Sequence, residues 1–427
     1  MQEDFLWYIW KFKLFNTPDL FTTSGEKIQI IKTGEHNTDA GPDFINARIK
    51  IGSTEWAGNI EIHSAASDWT KHNHTNNKTY DNIILHVVHE NDKQVIRKNG
   101  EEIPTLELKE KIKRNVYEKY RELQFSKDWI SCENQISSVS KFTLNNWLDR
   151  LMIERLERKS ATILESLKQN KNNWEECFYQ MLARSFGQKI NSDPFELLAR
   201  SLPYSYLAKH KNSLLQIEAM LFGVAGMLEP VTGPRQDDYY KELQKEFSFL
   251  SKKFKLEPLN ISIWKFLRLH PVNFPTIRIA QFANLILKTA HLFSKVLEAG
   301  SIKTLEALLQ TEASTYWNSR YRFGVLSPHK KKNIGKDFIT NIIINTIVPF
   351  LFIYGKDKNN EEYCKKAILF LEQLQSEKNS LLSKWENLGI KAKNAYESQA
   401  LLQLKNEYCS KKRCLECNIG CALLSNN

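Results

Sequence analysis

The stretch GPDFINARIKIGSTEWAGNIEIHSAASDWTKHNH, Gly41 to His74, decides how the rest of the chain is read. FINARIKIG alternates, which predicts a strand with Phe44, Asn46, Arg48 and Lys50 on one face. A Gly-Ser turn follows, and TEWAGNIEIH reads as the next strand. Asp43 opens the first strand behind Pro42. Glu61 and His63 stand two apart on the second, so their side chains share a face. Two carboxylates and an imidazole therefore converge at neighbouring strand ends, either as a metal centre or as the polar edge of a sheet.

Working outward, MQEDFLWYIWKFKLF predicts an amphipathic helix from Gln2 to Phe15, with Phe5, Tyr8, Ile9 and Phe12 on one face, ended by Asn16-Thr17-Pro18. KIQIIKTG alternates as a strand, DWTKHNHTNNKTY has short-helix potential, and NIILHVVHE is an apolar strand. The predicted order is helix, strand, strand, strand, short helix, strand. QVIRKNGEEIPTLEL then reads as a hairpin turning at Asn99-Gly100. From Thr105 the period becomes helical, beginning with LELKEKIKRNVYEKYREL and continuing into a long helix for which Thr143 is the expected N-cap. Further helices end at Gly187, start at Asp193-Pro194 and follow Ser213. The predicted fold class is α+β. Residues 1–104 form a small α/β domain, and residues 105–427 form an α-helical region that can be subdivided near Pro271 and ends in a cysteine cluster at 409–421.

The chain has 427 residues, enough for two or three cores, and 42% hydrophobic content, which excludes a disordered polymer. A formal net charge of +11 points to a polyanionic partner or to a solvated basic surface. The N-terminal segment carries acids where a signal peptide carries positive charge. The most apolar later segment, from Phe338, is interrupted by Asn341, Asn345 and Pro349 and reads as too short to span a bilayer. A cytoplasmic protein that makes no use of a membrane is the expectation.

With Asp43 behind Pro42, and Glu61-Ile62-His63 on the following strand, residues 1–104 resemble the PD-(D/E)XK nuclease superfamily, whose core has the element order predicted above. The resemblance implies that Asp43 and Glu61 hold Mg²⁺ or Mn²⁺, that His63 stands where the family has lysine, and that Glu3 on the first helix is an additional acid. It implies DNA or RNA as substrate and phosphodiester hydrolysis as the reaction. His63, His72, His74 and His86 also allow a second chemistry, because neutral imidazoles with a carboxylate are ordinary ligands of zinc. A third reading is a nucleic-acid-binding or assembly scaffold that has kept a nuclease-like fold without the chemistry. GPDF-x-NA, W-x-GNIEIH, DW-x-x-H-x-H, LFG-x-AGML and HP-x-NFP-x-x-RIAQ, with the cysteine tail, together look like a bacterial family of unknown function over nearly the whole chain.

The tail EYCSKKRCLECNIGCALL places Cys409, Cys414, Cys417 and Cys421 in a C-x4-C-x2-C-x3-C run, the pattern of a zinc or iron–sulfur site, with Lys411, Lys412 and Arg413 able to offset thiolate charge. Arg268 and Arg278 flank a proline-rich loop that leads into a helix near Thr276, and Arg320 and Arg322 stand between aromatics. These four arginines are the candidate nucleic-acid contacts. No G-x-x-x-x-G-K-[ST], G-x-G-x-x-G or G-x-S-x-G occurs, which argues against kinase, dehydrogenase and serine hydrolase readings.

Overall fold

The computed structural model describes residues 1–229 and 237–425. The chain is α+β and divides into two compact units. One comprises Met1–Arg150, Lys384–Ile390 and Leu402–Asn427, the other Leu151–Ser383 and Lys391–Leu401.

In the first unit helix α1 (Glu3–Phe12) precedes strands β1 (Ile28–Lys32), β2 (Glu35–His36), β3 (Phe44–Ile51) and β4 (Thr54–Ala65). A short helix α2 (Asp68–Lys71) leads to β5 (Ile83–Glu90) and β6 (Thr105–Glu107). The sheet runs β1-β3-β4-β5-β6, with β2 paired to β3. β1, β3 and β4 are antiparallel, whereas β5 runs parallel to β4, and β6 to β5. The expected element order is therefore present, with β2 as an addition.

Three local expectations are corrected. Helix α1 stops at Phe12 rather than Phe15, because Lys13 turns left-handed at φ 50° and the Lys13 and Leu14 amides return to the carbonyls of Trp10 and Ile9. Phe12 is consequently exposed, while Phe5, Leu6, Ile9 and Trp10 enter the core. On β3 the alternation is broken at Asn46, whose φ of 57° marks an extra residue where the register with β4 shifts. Phe44 thus faces inward with Ala47, Ile49 and Ile51, and only Arg48 and Lys50 of the expected face remain outside with Asn46. Finally, Thr105–Glu107 is strand rather than helix. Pro104 holds the chain extended, Leu106 is buried, and β5 offers an unpaired edge, so the next helix, α3, starts only at Arg114 and runs to Phe125.

The second half of β4 and most of β5 are buried on both faces of the sheet. One face, with Ile49, Ile60, Ile62, Leu85 and Val87, packs on residues of α1 and α3. The other carries Ile83 and Val88 under Trp69, and its remaining inward positions are polar. The site lies there.

The long helix α4 (Lys141–Gln169) is capped by Ser140, not Thr143: the Ser140 hydroxyl accepts from the Thr143 amide at 3.1 Å. In the second unit the expected helices are present as Trp174–Phe186 and Leu214–Val224, capped by Asn173 and Ser213. A two-stranded hairpin, Arg320–Arg322 with Val325–Leu326, interrupts the expected all-α region. The segment around Phe338 is longer than expected. Lys336–Asp357 is one continuous helix of 22 residues, apolar enough by composition to cross a membrane, and 78% of its most apolar window is buried in the fold. A π turn at Ile343–Ile347 precedes Pro349, where the missing N–H and the ring would otherwise disturb the regular ladder.

Candidate metal centre

The parallel register of β4 and β5 sets Glu61 beside His86 and His63 beside Val88. By the two-residue period Glu61, His63 and His86 then share one face of the sheet. β3 contributes Asp43 through a reciprocal clamp: the Asp43 amide donates to Glu61 Oε2 at 3.1 Å, and the Ile62 amide donates to Asp43 Oδ2 at 2.8 Å. The connector after β4 folds back over this face. Trp69, buried and bonded through its indole N–H to Thr75 Oγ1, packs on His63, His74 and His86, and Tyr80 stacks on His74 with centroids 3.8 Å apart.

The connector therefore brings His72 and His74 to the strand residues. His63 Nε2 lies 3.2 Å from His72 Nδ1 and 3.6 Å from Glu61 Oε1, and His74 Nε2 lies 3.2 Å from the same Glu61 oxygen. Ligand nitrogens of all three histidines fall within 4.8 Å of one another. Two atoms each ~2.05 Å from a tetrahedral ion are separated by about 3.3 Å, and the 3.2 Å between His63 Nε2 and His72 Nδ1 is of that size. His74 Nε2 is buried and has no hydrogen-bond partner.

His63 and His86 form a buried pair, with Nδ1 of the first 2.8 Å from Nε2 of the second. Burial, reinforced by neighbouring histidines, pushes the His63 imidazole down to about 2 and that of His86 to about 3, so both are neutral near pH 7. If His63 donates from Nδ1 to His86, its Nε2 lone pair points at Glu61, His72 and His74. Burial, and then the Glu61 carboxylate, push Asp43 up to about 8, against the opposing Ile62 N–H and Trp7 indole. Glu3, at the start of α1, is half-buried at the margin, where burial raises its pKa and His72 lowers it. Asp43, Glu61, His63, His72, His74, His86 and Glu3 are thus drawn into one neighbourhood. A cleft of about 450 Å³ runs beside His74 and is lined by Trp69, Tyr80, Asp81, Arg97 and Lys98. The sequence reading missed Arg97 and Lys98; their place in a hairpin after β5 was the available signal.

The four arginines singled out in the helical region have separate fates. Arg278 is buried and donates to Gln281 Oε1 and Asn273 Oδ1, with its face on Phe338. Arg320 pairs with Asp237 at 3.2 Å over the Tyr316 ring, and Arg322 lies against Phe266 and Phe274. Arg268 is exposed.

Among the tail cysteines, Cys409, Cys414 and Cys417 line one small cavity of about 20 Å³, and the thiol that joins them is Cys132, from the loop before α4. Cys421 is set aside, its Sγ donating to the Leu415 carbonyl at 3.2 Å. Burial and then the neighbouring sulfurs Cys417 and Cys414 push Cys132 up to about 12; burial first, with Cys414 and Cys421 adding, does the same to Cys417. Cys132 could not be found from spacing, since it stands alone far up the chain.

Residues 3–380 match the family described as "Protein of unknown function (DUF2851)". No curated protein matches the chain, and no solved structure does.

Proposed function

Since the chain belongs to the DUF2851 family, whose description assigns no activity, we propose from the geometry that it is a metal-dependent phosphodiester hydrolase of the nuclease type, acting on nucleic acid. The observation that carries this reading is the grouping of the His63, His72 and His74 nitrogens, with the Glu61 carboxylate beside two of them, His63 and His74. Three imidazoles and one carboxylate suit zinc or a related transition ion, whereas Mg²⁺ takes oxygen ligands. Bound there, a divalent ion supplies Lewis-acid polarisation and a water of lowered pKa.

The chain's own residues have separable roles. His63, His72 and His74 offer ring nitrogens, and His86 fixes the His63 ring through the hydrogen bond between its Nε2 and His63 Nδ1. Asp43 and Glu61 lock β3 to β4 and keep two carboxylates next to the ion. Tyr80 and Trp69 exclude water from the rear of the site, and Lys98 provides positive charge beside the cleft for a phosphate backbone. The antiparallel strands followed by a parallel one support the nuclease-type reading, because that is the core order implied by the Pro42-Asp43 and Glu61-Ile62-His63 resemblance.

A second reading keeps the same reaction with Mg²⁺ or Mn²⁺ on Asp43 and Glu61 and with His63 in the lysine's place. The adjacency of the two carboxylates favours it, since a cation between them relieves their repulsion. The test is cleavage of single- and double-stranded DNA and RNA with each ion, alongside elemental analysis. The histidine reading expects stoichiometric transition metal that is lost in His72→Ala and His74→Ala together with cleavage. Cleavage that needs added Mg²⁺ and survives both substitutions selects the carboxylate reading. No cleavage with any ion, in protein that binds DNA, returns the chain to the scaffold alternative.

The cysteine group is read as a second metal site, structural in role, with Cys132, Cys409, Cys414 and Cys417 binding zinc or an iron–sulfur cluster. It ties the C-terminal segment to the loop before α4 within the first unit.

A further inference from the structure

The second unit contains a separate cleft of about 1300 Å³, between α4, the helix Trp174–Phe186, the start of Pro275–Lys288 and the helix Lys336–Asp357. Of its described lining side chains eight are arginine or lysine and one, Asp337, is acidic. That imbalance distinguishes it from an ordinary surface groove, where charges of both signs alternate.

Among the described residues, two of these cations, Arg278 and Lys159, make no hydrogen bond or close ion pair with a carboxylate. Arg278 is only 6% exposed, yet its two terminal nitrogens are spent on the neutral oxygens of Gln281 and Asn273, and its Nε has no partner. Lys159, half-buried, lines the cleft; burial first, and then Arg155 and Arg158, push its ammonium down to about 7, against a smaller opposing pull from Glu377. By contrast Arg184 is balanced by Asp193 and Glu196, so the deficit is local rather than general. Lys189, Lys330 and Lys331 are exposed and add charge at solvent-accessible positions.

The backbone adds to the same field. Ser192, Asn273 and Gly335 line the cleft, and they stand at the N-terminal ends of helices Ser192–Ser201, Pro275–Lys288 and Lys336–Asp357. Free amides and the positive ends of helix dipoles favour anions with several acceptor oxygens. Drug-sized ligands occupy roughly 300–1,000 Å³, so the volume exceeds the need of a lone ion.

We propose that this cleft binds a phosphate-bearing ligand of nucleotide size, with Lys159 and Arg278 meeting its phosphates from within and Lys189, Lys330 and Lys331 from solvent. The shared chemistry is a run of phosphates, from a free nucleotide or from the phosphorylated end of a nucleic acid strand. The inference is independent of the histidine centre.

Calorimetric titration of the full-length protein with inorganic tripolyphosphate tests it, expecting saturable one-to-one binding. Lys159→Gln, and separately the exposed double variant Lys330→Gln/Lys331→Gln, are expected to weaken binding about tenfold or more, since each removes charge-assisted contacts. The double variant alters only exposed side chains and keeps the test valid if the half-buried Lys159 substitution unfolds the unit. His63→Ala should leave the affinity unchanged. Competition by a short oligodeoxynucleotide with a 5′ phosphate, but not by its 5′-hydroxyl form, identifies a strand end as the source; competition by ATP alone identifies a free nucleotide. Absence of saturable binding, or binding that neither lysine variant weakens, overturns the proposal.

Discussion

His63 Nδ1 lies 2.8 Å from His86 Nε2, inside a sheet face where neither ring reaches solvent. One hydrogen atom between two neutral imidazoles decides which nitrogen of His63 faces Glu61. When His86 accepts, the His63 Nε2 lone pair is directed to the point on which His72 and His74 converge. Replacing His86 with leucine leaves the His63 N–H unpaired and the ring free to take the other tautomer. Metal affinity in His86→Leu is therefore expected to fall about 10- to 100-fold, the usual effect of losing such an outer partner. Competitive zinc titration with a chromophoric chelator measures this, and an unchanged affinity would remove His86 from the site.

The same pair makes stability depend on pH. In the folded state burial depresses the pKa of His63 to about 2 and of His86 to about 3, while the unfolded values are ~6.5. Below about pH 6.5 the unfolded chain binds protons that the folded chain refuses, so each group costs stability as the pH falls, by up to about 1.4 kcal/mol per pH unit. Asp43, held up at about 8 by burial and Glu61, acts oppositely: between ~4 and 8 the folded state keeps a proton the unfolded state has lost. Two protons oppose one, so metal-free protein should lose stability on acidification from pH 6.5 to 4. Denaturant unfolding in chelator should show a shallower acid limb for His86→Leu than for wild type. Parallel limbs would mean that His86 titrates normally.

Part of this site was legible in the sequence, because period-two alternation alone places Glu61 and His63 on one face, and Pro42-Asp43 announces the neighbouring acid. His86 was harder. In isolation ILHVV reads as a core strand, and only the parallel register with β4 sets His86 opposite Glu61, a non-local fact. His72 and His74 lie in a polar connector that shows no periodicity, and Trp69 and Tyr80 pull it over the sheet. The bulge at Asn46 was invisible to alternation because both possible faces offered apolar residues. LELKEK suits a helix by composition, and its pairing with β5 overrides that preference.

The cysteines give a test that distinguishes the structural grouping from the sequence run. If Cys132, Cys409, Cys414 and Cys417 are the ligands, Cys132→Ser should lose the bound metal while Cys421→Ser keeps it. Absorbance near 400 nm in anaerobically purified protein identifies a cluster, and zinc without colour identifies a mononuclear site. Retention of full metal in Cys132→Ser, with loss in Cys421→Ser, would reinstate the C-x4-C-x2-C-x3-C set.

A last prediction concerns how the sheet lets the site form. Gly58 lies on β4 just before the strand meets β5, opposite Ala47 of β3 beyond the bulge. A Cβ there would stand 2.5 Å from Ile84 Cγ2 and 2.7 Å from the Asn82 carbonyl oxygen. The isoleucine methyl can rotate away, but the carbonyl cannot, because it accepts the Asn59 amide at 2.9 Å and starts the β4–β5 pairing. Gly58→Ala must therefore push the beginning of β5 outward, at a cost of about 1–3 kcal/mol typical of overpacking. Since β5 carries His86, the displacement also disturbs the His63 hydrogen bond. Gly58→Ala should accordingly lower both the unfolding midpoint and the metal affinity, whereas an exposed change on the same strand, Thr54→Ala, should alter neither. Denaturant unfolding and metal titration of the two variants side by side would check this, and a Gly58→Ala protein as stable as wild type would show that β4 and β5 are not held this closely.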